Sequence, residues 1–102
     1  MPKQFILYNL ADGVSKEDYQ KYVDEVKGPF FVNLPAVKSY TLLETVSEGS
    51  PFQYVGIVET DDPAALQQDT QSPAFGAWLQ EWMPKVKDVQ MMFGMEVFHG
   101  GK

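Results

Sequence analysis

Residues 37–60, VKSYTLLETVSEGSPFQYVGIVET, constrain the fold more than any other stretch of this chain. Two runs rich in β-branched and aromatic residues flank Ser47-Glu48-Gly49-Ser50-Pro51, a cluster of turn formers. That pattern predicts a β-hairpin with a loop longer than two residues. Pro51 belongs at the loop edge, because inside a central strand it removes a ladder hydrogen bond. Whatever lies on either side must supply strands that extend this hairpin and helices that cover it.

The flanking segments read that way. Residues 3–10 read as a strand, apolar at nearly every position from Phe5 to Leu10 and without clean alternation, the mark of a strand covered on both faces. After Ala11-Asp12-Gly13, Ser15 is placed to cap a helix, with Asp18 three positions on. Tyr19, Tyr22, Val23 and Val26 fall on one stripe, and Gly28-Pro29 is expected to end the helix. Residues 30–35 then read as a connector with buried anchors or a short helical turn. Beyond the hairpin, Asp61 or Asp62 caps a second helical region at Pro63, and Ser72-Pro73 opens another helix that Pro84 stops. Residues 88–98, DVQMMFGMEVF, alternate as a last strand, and Gly100-Gly101-Lys102 reads as a loose tail.

The order β-α-β-β-α-β defines the fold class: α+β, ferredoxin-like, a four-stranded antiparallel sheet with its helices on one face. At 102 residues one domain, 1–102, is expected, burying roughly two-thirds of its unfolded surface. Both faces of the first and last strands are largely apolar, yet two helices shield only one face. A second copy stacked on the open face, giving a dimeric α/β barrel, is the expected cover.

Charge narrows the function. The net charge is −6, with 14 acids and 8 cations, all of them lysine. Nucleic acid and anionic membrane are therefore disfavoured as partners, and without arginine there is no bidentate fork for carboxylate or phosphate. A small apolar or aromatic ligand fits better, as does the aromatic content of 14%. No cysteine occurs, in keeping with a reducing compartment. The first ten residues lack the length of apolar run and the cleavage site of a secretion signal, so a cytoplasmic location is expected.

No dinucleotide, P-loop, serine-hydrolase or zinc-protease motif occurs, and no cofactor or metal is expected. His99 is the single histidine and the candidate acid–base group, although strand-end histidines are more often exposed and inert. Glu59 and Glu96 lie toward strand ends, where burial of either would raise its basicity. Tyr8, Asn9, Tyr40 and Tyr54 are candidates to touch a ligand from facing strands, against the commoner reading of cross-strand packing. Phe75, Trp78 and Trp82 share a helix face and would build either core or the wall of a flat pocket.

Four stretches, DGVSKEDYQKYVDEV (12–26), LPAVKSYTLLE (34–44), PFQYVGIVET (51–60) and SPAFGAWLQEW (72–82), resemble the REDY-like, HapK-type family of the dimeric α/β-barrel superfamily. The resemblance implies a homodimer with a pocket between sheet and helices in each subunit. It further implies a role in prodiginine- or pyrrole-like secondary metabolism. Some cyclases of the superfamily carry a catalytic histidine two residues after the proline of a Pro-Ala pair, and a tyrosine six residues before that histidine. Here Phe75 follows Pro73-Ala74, and Asp69 stands in the tyrosine's place, so Asp69 joins His99 as a candidate catalytic residue. Three functions follow as expectations: a cofactor-free enzyme that condenses or cyclises an apolar planar intermediate, a non-catalytic ligand-binding or dimerisation module, or a cofactor-independent oxygenase.

Overall fold

The computed structural model describes residues 2–101; Lys102, the end of the expected tail, lies outside them. Strands β1 (Pro2–Leu10), β2 (Ser39–Glu44), β3 (Tyr54–Glu59) and β4 (Val86–Met95) form one antiparallel sheet in the order β2-β3-β1-β4. The hairpin of β2 and β3 forms as expected, its loop held by Thr45 N–H donating to the Gln53 carbonyl at 2.8 Å. It pairs in register Tyr40↔Val58 and Glu44↔Tyr54, while β1 joins it at Tyr8↔Tyr54.

All three expected caps are made, with Ser15 Oγ accepting from Asp18 N–H at 3.1 Å. Asp62 Oδ1 accepts from Ala65 N–H at 3.1 Å to open α3 (Pro63–Thr70). Ser72 Oγ accepts from Phe75 N–H at 3.1 Å to open α4 (Pro73–Trp82). These bonds satisfy amide groups that a helix start leaves orphaned. Beyond α4 a 3₁₀ turn, Met83–Lys85, carries Pro84.

The first helix departs from expectation. It does not end at Gly28-Pro29. The α-helix Lys16–Tyr22 (α1) passes through a π-helical turn, Val23–Lys27, into the α-helix Gly28–Val32 (α2). Pro29 explains why: a proline inside an α-helix clashes with the carbonyl four residues back and leaves it without a donor. A π turn widens the helix by one residue, and Gly28 N–H donates to the Val23 carbonyl five residues back. The inserted residue resets the helix face. Val26, expected inside, is 37% exposed, and Lys27 is fully buried in its stead.

Gly28 is required by that turn, since a Cβ there would lie 2.9 Å from the Val23 oxygen. Gly28→Ala is therefore expected to destabilise the chain by about 1–3 kcal/mol, the usual cost of an overpacked site. Chemical denaturation measures it, and an unchanged midpoint would mean that the helix does not widen here.

The last strand also shifts. It starts at Val86 and stops at Met95 rather than spanning 88–98. Asp88 takes a left-handed backbone conformation (φ 56°) where the β1–β4 register slips between Leu7 and Asn9. This is a bulge that the alternation of 89–97 did not announce.

All helices pack on one face. Ile6, Tyr8 and Leu10 of β1 and Tyr54 and Val58 of β3 meet Tyr19, Val23, Phe31, Leu66, Phe75, Trp78 and Trp82 in the core. The opposite face carries two cross-strand apolar rows: Met92, Phe5 and Ile57, then Leu7, Val55 and Leu43. Met92 and Leu43 there are 54% and 49% exposed.

Candidate active site

The centre of the helix-covered face is an aromatic cage around an ammonium group. Lys27 Nζ donates to Tyr8 Oη at 2.9 Å and to Tyr19 Oη at 3.4 Å. It lies 4.6 Å from the ring centre of Tyr8, 4.8 Å from that of Trp82 and 5.6 Å from that of Tyr40. The Tyr8 and Tyr19 hydroxyls are 2.6 Å apart, and Trp82 Nε1–H donates to Tyr19 Oη at 3.0 Å. Trp82, Tyr19, Tyr8 and Lys27 thus form one hydrogen-bonded chain, with contributions from α4, α1, β1 and the π turn.

The cage supplies no negative charge. No carboxylate pairs with Lys27 among the described residues. Burial pushes the hydroxyl pKa of Tyr8, Tyr19 and Tyr40 upward, with neighbouring tyrosines adding to the rise at Tyr8 and Tyr40, so these groups stay neutral. Aromatic faces attract a cation but do not replace its hydration. Burial accordingly lowers the Lys27 amine from 10.5 to about 7, close to half neutral at physiological pH.

A cleft of about 360 Å³ opens beside this cage. Gln20, Val23 and Asp24 bound it from the first helix, Gly28 and Pro29 from the helix beyond the π turn. Tyr40, Leu42 and Glu44 enter from β2, and Tyr54 from β3. Tyr40 belongs to both places, as it lines the cleft and its ring faces the Lys27 amine. Its buried hydroxyl has no hydrogen-bond partner among the described residues. Gly56 gives that hydroxyl room, for a Cβ there would stand 3.4 Å from it.

Of the residues singled out from the sequence, Tyr8, Tyr40, Tyr54 and Trp82 converge here. Tyr8 stacks on Tyr54 at 5.5 Å and meets Trp82 edge-on at 5.1 Å. Phe75 and Trp78 pack with Phe30 and Phe31 and do not line the cleft. Asn9 points to the other face, where its side chain binds the Pro51 carbonyl, Asp88 Oδ2 and Gln53 N–H. Asp69 accepts from Ala36 N–H at 2.9 Å, fastening the segment after α2. His99 is 80% exposed, 3.8 Å from Glu96 Oε1. Glu59 and Glu96 flank Lys3, at 3.8 and 3.3 Å. Neither His99 nor Asp69 borders the cleft.

Lys27 was missed because the helix was expected to end beside it, at Gly28-Pro29. Its signal was present in the ladder Tyr19, Val23, Lys27, Phe31, a spacing of four residues that runs through Gly28-Pro29. All four are buried.

This architecture, an antiparallel four-stranded sheet with helices on one face and a cleft between them, defines a ferredoxin-like α+β protein. The family model of the REDY-like protein HapK matches residues 2–97, and the chain belongs to that family. HapK from Hahella chejuensis superposes with a TM-score of 0.82 at 19% identity, over 100% of this chain and 98% of that one. SnoaB, a cofactor-independent oxygenase from Streptomyces nogalater, is similar in a variant form (TM-score 0.75, 14% identity, 96% and 94% covered). So is a dimeric ferredoxin-like protein of unknown function from Thermobifida fusca (TM-score 0.71, 16% identity, 91% and 88% covered). No curated protein matches the chain. Among the described residues no helix is long and apolar enough to cross a membrane.

Proposed function

We propose that the chain binds a small, apolar, planar molecule in the cleft beside Tyr40 and Tyr54. There it promotes condensation or ring closure of that molecule without a cofactor, working as a homodimer in prodiginine- or pyrrole-like secondary metabolism. The observation that carries the reading is the Tyr40 hydroxyl. A buried polar group without a partner costs about 1–3 kcal/mol, and a ligand oxygen or nitrogen in the cleft would recover that loss. Aromatic walls suit a flat ligand, and holding two reacting groups together is itself a large part of such catalysis. His99 and Asp69 remain the candidates from outside the cleft for proton transfer.

Native mass spectrometry with pyrrole and polyketide intermediates tests the reading. A retained ligand is expected, with affinity falling about tenfold in Tyr40→Phe, the value of one hydrogen bond. Retention of none of them would contradict it. Turnover that falls in His99→Ala or Asp69→Asn assigns proton transfer to those residues, and unchanged turnover assigns it to groups around the cleft. Binding without turnover makes the chain a ligand-binding module, and oxygen consumption with turnover makes it an oxygenase.

A further inference from the structure

We infer that Lys27 is a nucleophilic lysine, which forms an imine with a planar aromatic aldehyde entering through the cleft. The inference deepens the binding reading and rests on it, because the aldehyde must first occupy that cleft.

Three features of the structure converge on this chemistry. A primary amine is held in the middle of the core with no counter-ion among the described residues, which is poor design for stability alone and the usual setting of an amine that must be uncharged to react. The π turn is what brings it there, and such turns recur at functional sites. The groups that face it are Tyr8 from β1, Tyr19 from α1, Tyr40 from β2, Phe31 from α2 and Trp82 from α4. The titratable ones among them are all neutral tyrosines, so nothing nearby holds the proton on the amine.

Access is the second requirement. Tyr40 lines the cleft, and its ring centre lies 5.6 Å from Nζ. It stands on β2, an edge strand, and its hydroxyl makes no hydrogen bond among the described residues, so turning it aside breaks none. Gly28, adjacent to Lys27 in the chain, already borders the cleft.

The step balances without a further reactant. The neutral amine adds its lone pair to the carbonyl carbon, and the carbon–oxygen π pair moves onto oxygen. Both amine hydrogens leave with that oxygen as water, and a C=N bond remains. The Tyr8 hydroxyl, 2.9 Å from Nζ and linked to Tyr19, is placed to pass a proton from nitrogen to the departing oxygen.

Pyrrole-2-carboxaldehyde with sodium borohydride is the probe, read by intact mass and peptide mapping at pH 7.5. The chain has eight lysines, and an ordinary one has a neutral fraction about a thousandfold smaller than one with a pKa near 7. Reduction is therefore expected to leave one lysine adduct, at Lys27 and at least about tenfold above any other lysine, and absent from Lys27→Met. Labelling spread over surface lysines and unchanged in Lys27→Met would overturn the assignment. The unreactive alcohol, pyrrole-2-methanol, separates the two readings. If it binds and no adduct forms at Lys27, the nucleophile is refuted while the binding site stands. If neither compound binds, both fall.

Discussion

Lys27→Met is expected to stabilise the protein by about 5 kcal/mol at pH 6, and the gain is expected to vanish by pH 11. The amine sits at about 7 in the folded chain and at 10.5 when unfolded, and each unit of difference is worth about 1.4 kcal/mol. Below pH 7 both states carry the proton, so the folded state bears the whole cost of a buried, unpaired cation. Between pH 7 and 10.5 the unfolded state binds more protons than the folded one, and stability rises with pH. Above 10.5 both are neutral and the cost is gone. Methionine keeps the length of the stem and the contact with the rings of Tyr8 and Trp82 while removing the charge. Urea denaturation of both proteins at pH 6, 8.5 and 11 checks it. Equal midpoints at all three would mean that the lysine is hydrated or paired after all.

The second large effect concerns the uncovered face of the sheet. Rows of Met92, Phe5 and Ile57 and of Leu7, Val55 and Leu43 lie opposite the helices. Two of these residues, Met92 and Leu43, are about half exposed. An apolar patch of that continuity marks an interaction surface, and a two-fold dimer would place like rows face to face. Ile57→Lys and Val55→Lys together set charges in the middle of that contact, where burying an unpaired ammonium costs several kcal/mol. Light scattering at micromolar concentration is expected to give the mass of two chains for the parent and of one for the double variant. A parent that weighs 11.5 kDa would remove the homodimer from the account.

Much of this fold was legible because its signals are local. The turn cluster 47–51 set the hairpin, and Asp62 and Ser72 set the starts of α3 and α4 through single side-chain bonds to backbone amides. The bulge at Asp88 was not legible, since alternation from Val89 onward is indifferent to what precedes it. Glycine followed by proline read as a helix stop at 28–29. In the folded chain the same pair sustains a widened turn, because Phe31 has a core to reach on the far side. The site suffered most from that one difference. Tyr8, Tyr40, Tyr54 and Trp82 were visible as aromatics, but the group they enclose drew no notice. A charged residue gives no hint of burial until the helix register that buries it is known. His99 drew notice as the lone histidine, a signal of composition rather than position, and it stands exposed beside Glu96.

The chemistry drawn from the cage requires that the amine of Lys27 lose its proton near neutrality. Carbon-13 shifts of lysine Cε, followed by NMR from pH 5 to 12 and assigned through Lys27→Met, answer this directly. One resonance, absent from Lys27→Met, is expected to titrate near pH 7. If every lysine instead titrates together near the ordinary value of about 10.4, the uncharged cage and the chemistry drawn from it are contradicted.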